Sequence, residues 1–523
     1  MSKANHSPPL LIVGIDAGDS EYIRRWAQDG HLPTIASIME QGCWGHIGGA
    51  DLMSTHGAWL SLFSGIPKLD HGYYFNRQLI PGTYEFQNIT PFDTGVKPFW
   101  SHMGGSSEKV AIIDALETNL QPNLPGVQVV NLATQKQFNT PVPLTFAEPA
   151  ILLDEIRGII GELPDIDVFN SESSASEEFS SYHLLLKRVE QKGRLCRHLL
   201  GRDRYDLAVI TFVEAHTAAH RLWDYRPGGM RFNSATPEGS ELSSGIRNVY
   251  QAVDREIGLL LKQFPEKPNC MVLSLFGMKD LQATRGLTES FCRQLGYQMK
   301  PPGKLNGLTS LALARQVIPS QWRARISQYF PLQLQQRLQS QQFLSQTDWD
   351  RTTAFPLPGL YSSFIRVNLR GREPKGIVEP GREYNELLSR LETDLLQLVD
   401  PYSADPVVQS VTKTVEAYSC DPPVVLPDVC AEWKASSRFI DRVKHHKCEL
   451  VQTAPLYNRS SYHAFQGFFA TSGPSITSES YLDEVPLLDL APTFLHLVGK
   501  RPVEQCVGQV IRRMIHGGIS LYE

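Results

Sequence analysis

The chain has 523 residues, 41% hydrophobic and 20% charged, with a formal net charge of −5 and a pI near 6.3. That is room for one large α/β domain with insertions, or for two to three domains. There is no basic surplus of the kind that marks nucleic-acid binding, and no apolar run long enough to span a bilayer, so neither kind of partner is expected.

Met1 to Pro9 is short and polar and runs straight into Leu10-Leu11-Ile12-Val13-Gly14-Ile15. This apolar run is too short, and too soon broken by Asp16, for a signal-peptide core. It reads as a first buried strand, and the lack of a leader predicts a cytoplasmic protein. Glu21–Gln41 reads as a helix ending near Gly42, Lys109–Ile113 and Leu207–Phe212 as strands, Ile246–Leu261 as an amphipathic helix and Met271–Leu275 as another buried strand. Such alternation predicts a parallel sheet covered on both faces. Ligands of open sheets bind at the carboxyl ends of the strands, so polar residues just after these strands matter most.

Two stretches, Gln121–Pro149 and Asp165–Glu178, are rich in loop-forming residues. From about 281 to 455 the alternation stops: a Gln-rich stretch, Ser320–Gln346, reads as a solvated helix or a coiled-coil contact, and Tyr361–Leu369 as a strand. The sheet pattern returns with Gly467–Thr471 and a helix over Leu487–Val498. The predicted division is a core of 1–280 and 456–523 with a cap-like insertion at 281–455. The eight cysteines are scattered without a C-x-x-C pair, which predicts reduced thiols rather than a thiolate metal site.

Asp16 ends a buried strand, where a carboxylate must bind a cation or accept hydrogen bonds. The stretch Ser54-Thr55-His56-Gly57 leads into an apolar helix, then Ser64-Gly65-Ile66-Pro67 and His71-Gly72. A helix start offers free N–H groups and a positive dipole to an anion, while Thr55 is equally a candidate cap. These segments resemble the alkaline phosphatase superfamily, and within it the type I phosphodiesterase/nucleotide pyrophosphatase branch. That family has a Thr or Ser nucleophile before a helix, then Thr/Ser-Gly-x-x-Pro, then His-Gly and an Asn that steadies a phosphoryl oxygen. The resemblance implies Thr55 as nucleophile, Asn76 as oxyanion donor and Asp16 as a metal ligand; Pro67 comes one residue early.

Phe212-Val213-Glu214-Ala215-His216-Thr217-Ala218-Ala219-His220 resembles the family's strand ending in Asp-x-x-x-His, with His216 standing in place of the Asp. Imidazole is a good zinc ligand, and His at i and i+4 share a helical face. Glu214 reads either as a partner of those ligands or as a buried polar contact. His463, ahead of Gly467-Phe468-Phe469-Ala470 and Ser472-Gly473-Pro474, resembles the family's late metal ligand, and Leu488-Asp489-Leu490-Ala491-Pro492-Thr493 its closing signature.

The departure falls at Ser274-Leu275-Phe276-Gly277-Met278, where the family carries Asp-His-Gly-Met and both Asp and His bind a second metal. Leu275 and Phe276 cannot ligate. His216, His220 and His463 would still complete a three-His site with one open position. Arg366, Arg370 and Arg372 read either as bidentate contacts to an anionic substrate or as the solvated charges of a surface hairpin; Leu426-Pro427-Asp428-Val429 resembles a recurrent family strand.

The resemblance implies an alkaline-phosphatase-like fold, a mostly parallel mixed sheet with helices on both faces. It implies a phosphodiesterase-like hydrolase or group-transfer enzyme acting on a small anionic molecule, with about one zinc per chain and Asp16 as general base. The alternative is a degenerate member that binds a ligand or partner without catalysis. A Rossmann oxidoreductase is disfavoured, because Gly14-Ile15-Asp16-Ala17-Gly18 lacks the full G-x-G-x-x-G.

Overall fold

The computed structural model describes residues 7–103, 108–132, 145–161, 173–302, 340, 343–454, 459–478 and 481–516. Most of the predicted Gln-rich helix, the middle of Gln121–Pro149 and the first part of Asp165–Glu178 lie outside the described residues. The chain divides into two compact units. The first comprises 1–71, 91–279 and 463–523, the second 72–90 and 280–462. Residues 72–90 thus go with the second unit, although the sequence reading grouped them with 1–280.

The first unit is built on a nine-stranded sheet among the described residues. In chain order its strands are β1 (Leu10–Ile15), β2 (Cys43–Gly48), β3 (Val110–Ile113), β4 (Gly126–Val130), β5 (Phe146–Glu148), β6 (Leu207–Phe212), β7 (Asn269–Ser274), β8 (Gly467–Ser472) and β9 (Tyr481–Pro486). Their spatial order is β9-β2-β8-β7-β1-β6-β3-β4-β5. All run in one direction except β5 and β8. β1 is buried along its whole length, as a strand covered on both faces must be. Its side chains alternate between two apolar layers. Leu11, Val13 and Ile15 join one core with Ala208, Ile210 and Val272; Leu10 and Ile12 join the other with Val209, Met271 and Phe469.

The single helix predicted over Glu21–Gln41 is two, α1 (Ser20–Gln28) and α2 (Pro33–Gln41). Gly30 adopts φ 76 just past α1, and Pro33 lacks the N–H that would continue a helix. The start of α2 is held from afar: Asp254 accepts the N–H groups of Ile35 (2.8 Å) and Thr34 (3.1 Å). The predicted helix over Leu487–Val498 begins as a short 3-10 turn and is α-helical only over Leu490–Leu497.

The second unit has a four-stranded antiparallel sheet in the order Ala354–Pro356, Ser363–Val367, Val429–Trp433, Val408–Lys413. Helices Arg285–Gln294 and Arg382–Leu396 bury Leu287, Phe291, Leu387, Leu388, Leu391 and Leu395 in its core. The segment 72–90 joins this unit through Tyr84, which stacks on Trp349 (ring centroids 3.6 Å) and donates to Asn368 Oδ1 (2.6 Å).

Neither reading of the arginine-rich segment holds for Arg366 and Arg372. Arg366 is 2% exposed and donates to Glu373 (2.8 Å) and to the carbonyls of Leu426 (2.6 Å) and Val424 (2.7 Å). Arg372 is a bidentate partner of Asp428 (2.7 and 2.8 Å). Their donors are spent inside the unit, which leaves none for a substrate; only Arg370, paired with Glu379 in solvent, fits the hairpin reading. Asp428 also accepts from the Tyr384 hydroxyl (2.6 Å) and the Val367 N–H (2.7 Å). Burial alone would raise its carboxyl, but Arg372, with Arg366 and Tyr384, holds it below the usual carboxylate range.

Asp428→Asn leaves the buried Arg366 and largely buried Arg372 guanidinium groups sharing one carboxylate, Glu373, in place of two. Urea unfolding of the full chain at neutral pH is expected to show a loss of about 3–5 kcal/mol in the second unit. Because the folded value is depressed, this contribution is fully present above the unfolded carboxylate value, about 3.9, and disappears as pH falls through the lower folded value. Wild-type and variant stabilities should therefore converge in strong acid.

Candidate functional site

The register explains why distant segments meet. β8 runs against β7, with Phe468 opposite Ser274, so β8 begins where β7 ends. It also runs against β2, with Gly467 opposite Ile47, so β2 ends at the same edge. The residues after β1, β2, β6 and β7 and those before β8 therefore gather along one edge of the sheet: Asp16, Thr55, His216, Phe276 and His463.

His216 and His220 lie one turn apart on the helix Glu214–Leu222, which opens directly behind β6. Ligand atoms of His216, His220 and His463 all lie within 4.8 Å of one another. Their ring centroids are separated by 4.7, 4.8 and 5.5 Å. His220 and His463 are each 7% exposed. Asp16 is not a fourth member of the cluster. Its Oδ2 meets His216 Nδ1 at 2.7 Å, and its Oδ1 accepts the Trp59 indole N–H at 3.2 Å. With Nδ1 as the donor, the lone pair of His216 sits on Nε2, which has no hydrogen-bond partner among the described residues. A buried imidazole nitrogen with a fixed lone pair, facing two more imidazoles, suits a divalent metal.

The loop carrying Asp16 is tightly set. Ala17 takes a left-handed conformation (φ 50), unusual for a residue with a side chain. Asp19 caps α1 through the Tyr22 N–H (2.9 Å) and also accepts the Met278 N–H (2.9 Å), so the turns after β1 and β7 are tied together. Burial pushes the Asp19 carboxyl up.

Leu275 and Phe276, which replace the family's second pair of ligands, are packed apolar residues (0% and 2% exposed). Phe276 meets His463 edge-on at 5.7 Å and Phe465 at 6.0 Å. What would be a second cation site is thus an aromatic wall against one imidazole.

Thr55 sits in the loop between β2 and α3 (Ala58–Ser64), three residues before the helix rather than at its cap. Its hydroxyl lies 3.4 Å from His56 Nδ1. The helix it precedes reaches Asp16 through Trp59. The N–H groups expected to be open to an anion are in use: Glu117 accepts those of Gly57 (2.9 Å) and Leu60 (3.1 Å). Below the loop, the fully buried Lys68 ammonium donates to Ser54 O (2.9 Å), Ser54 Oγ (2.9 Å) and His56 O (2.7 Å). Burial and the Lys68 charge lower His56 to about 4 and His71 to about 3, so both rings are neutral near pH 7. His71 of the His-Gly motif is structural: its Nε2 meets Ser61 Oγ at 2.9 Å, and Ser61 donates to Asp51 (3.1 Å). The Ser64-Gly65 turn needs its glycine, because Gly65 has φ 70 and a Cβ there would lie 2.6 Å from Cys506 Sγ.

Asn76 belongs to the second unit, where its carbonyl accepts the Ile89 N–H (3.0 Å). Sequence reasoning missed Lys68, Trp59 and Glu117. Only Glu117 carried a signal, as an acidic residue shortly after strand β3. Glu214 is the buried polar contact rather than a partner of the imidazoles. It is fully buried and faces Arg188 (3.6 Å) beside the Lys192–Asp114 pair (2.6 Å). Burial pulls the Lys192 ammonium down, but Asp114 and Glu214 outweigh it and hold it above its ordinary value.

The family model described as Type I phosphodiesterase / nucleotide pyrophosphatase matches residues 10–414. Among solved structures, human ectonucleotide pyrophosphatase / phosphodiesterase 5 is similar at 11% identity and a TM-score of 0.45, over 97% of this chain and 100% of that one. No curated protein matches. No helix among the described residues is long and apolar enough to cross a membrane.

Glu214→Ala leaves Arg188 and Lys192 facing one carboxylate in place of two. Thermal or urea unfolding is expected to show a loss of about 3–5 kcal/mol. A variant of unchanged stability that has lost only metal affinity would instead place Glu214 in service of the histidines.

Proposed function

This chain belongs to the type I phosphodiesterase / nucleotide pyrophosphatase family, and we propose that it is a metal-dependent phosphoester hydrolase or group-transfer enzyme with Thr55 as nucleophile. His216, His220 and His463 would hold one metal ion, zinc by the chemistry of three imidazoles. The observation that carries this reading is the convergence of these rings at one sheet edge, with one of them oriented by Asp16. When bound, zinc supplies Lewis acidity toward a substrate oxygen.

The chain's own residues account for the remainder. The Thr55 oxygen attacks phosphorus, forming a Thr–O–P bond as the ester P–O bond breaks. The departing oxygen takes up the proton released by the Thr55 hydroxyl, and water or another acceptor then attacks phosphorus, breaking the Thr–O–P bond and returning its proton to Thr55. Neutral His56 is an acceptor beside the Thr55 hydroxyl and orients it. Asp16 is engaged at both oxygens, so its role shifts from general base and ligand to orienting His216 and fixing its tautomer. Asn76 keeps the role implied by its motif position, donating its amide to a phosphoryl oxygen. The substrate class is a small anionic phosphate ester. Leu275 and Phe276 favour one metal rather than two. They also motivate the second reading, a member that binds a phosphate ester without turning it over.

Protein purified without added metal is expected to contain about one zinc per chain by elemental analysis. It should cleave the generic diester bis(4-nitrophenyl) phosphate. Thr55→Ala should lower kcat by about 10³-fold or more with metal retained. His463→Ala should lose both metal and turnover, and Asp16→Asn should weaken zinc binding by about 10–100-fold. Full turnover in both Thr55→Ala and His463→Ala would falsify the enzymatic assignment. Metal-free protein without turnover, yet binding phosphate esters, would favour the second reading.

A further inference from the structure

We propose that Glu117 and Lys68 are positioning residues that clamp the 54–60 segment between a half-buried carboxyl group and a buried ammonium and thereby fix the Thr55 hydroxyl; this rests on Thr55 being the nucleophile. The segment has little regular structure of its own. Thr55 precedes the helix by three residues, and Gly57 at the helix cap is left-handed, with φ 79. A loop in that state is held only by what its backbone groups bond to.

Those bonds come from two side chains. Glu117 takes two N–H groups on the helix side of Thr55, one per carboxylate oxygen: Gly57 with Oε1 and Leu60 with Oε2. Lys68 takes the acceptors that bracket Thr55 in sequence, Ser54 O and Oγ before it and His56 O after it. The two N–H groups go to the carboxyl group and the three oxygens to the ammonium, which is the arrangement that makes charge-assisted hydrogen bonds strong. Lys68 is itself fixed, with 0% exposure and its backbone N–H on Asp51. Glu117 is held in a left-handed conformation (φ 57), strained for a residue with a side chain and kept only where surrounding contacts impose it.

The local electrostatics agree. Burial pushes the Glu117 carboxyl up to about 7, against the pull of the Gly57 and Leu60 N–H groups and Lys68, with Asp16 adding to the rise. A carboxyl group under that strain is retained at a cost, and its bonds go to the backbone beside the nucleophile. Neither residue contacts a ligand in this assignment. They act through the loop.

The test pairs a structural readout with a kinetic one on the full-length chain. Hydrogen–deuterium exchange over residues 54–60 and turnover of bis(4-nitrophenyl) phosphate are measured for wild type, Glu117→Ala, Glu117→Gln, Lys68→Met and Thr55→Ala. In Glu117→Ala, exchange over the segment should rise at least about tenfold. Its kcat should fall about 10²-fold, the scale expected when a reacting group is displaced by about 1 Å. KM and zinc content should stay within about twofold of wild type, the mark of lost positioning rather than lost binding. Glu117→Gln keeps the side chain's size and one acceptor oxygen, so it should fall between wild type and Glu117→Ala. It also supplies the readout if Glu117→Ala does not fold, with Lys68→Met probing the opposite jaw. Unchanged exchange in these variants overturns the clamp. Faster exchange with unchanged kcat overturns its link to Thr55. If Thr55→Ala itself retains full turnover, the nucleophile assignment has failed instead, and the exchange data still decide whether the clamp exists.

Discussion

The hydrogen bond between Asp16 Oδ2 and His216 Nδ1 organises the rest of the site. It joins the carboxyl ends of two adjacent parallel strands, β1 and β6, whose pairing is in register from Leu10–Leu207 to Ile15–Phe212. Because both strands end at the same level, the side chains that follow them are forced into reach of each other. The bond settles which nitrogen of His216 carries the proton, and so which nitrogen faces His220 and His463. Trp59 completes the arrangement by donating to the other Asp16 oxygen, which carries the order of the imidazole cluster into the helix behind Thr55.

Charge around the loop that carries Thr55 is concentrated in a few groups. Lys68 supplies the positive charge from below, and the nearby imidazoles of His56 and His71 answer by staying neutral. Each neutral ring keeps one donor and one acceptor nitrogen, and neither His56 nor His71 adds a positive charge beside the Thr55 hydroxyl. The same economy recurs in the Asp114–Lys192 and Arg188–Glu214 pairs, and within the second unit in Arg366, Arg372, Asp428 and Glu373. In each, buried charges of opposite sign face one another within a single unit.

The sheet and its polar edge were legible in the sequence because buried parallel strands write themselves as unbroken apolar runs. Leu207–Phe212 was delimited to the residue, and the ends of β1, β7 and β8 to within two. The candidate ligands were legible because His216 and His220 keep helical spacing behind such a strand. What stayed hidden depends on tertiary partners. Lys68 looks like any surface lysine after a Pro turn until its amine is seen inside the protein. Glu117 reaches Gly57 across 60 positions of sequence. Arg366 and Arg372 were misread because sequence shows a charge but not its burial. The break between α1 and α2 was written in Gly30 and Pro33, but the surrounding helical periodicity outweighed them.

Two departures from the family pattern, far apart in sequence, solve one electrostatic problem. In the two-metal pattern, the carboxylate after β1 and the acidic residue at position 216 each face a cation. With Leu275 and Phe276 in place of the second metal's other ligands, that cation has lost most of its donors. An aspartate at 216 would then set a second carboxylate against Asp16 at hydrogen-bonding distance, and like charges so close cannot both stay ionised. A histidine at 216 turns the repulsion into a donor–acceptor pair and keeps its ring beside those of His220 and His463. The aromatic ring of Phe276 packs edge-on against His463. The loss of one ligand set and the exchange of Asp for His are thus a single change seen from two sides: the pocket is closed by an apolar group, and the stranded carboxylate is given an imidazole to hold.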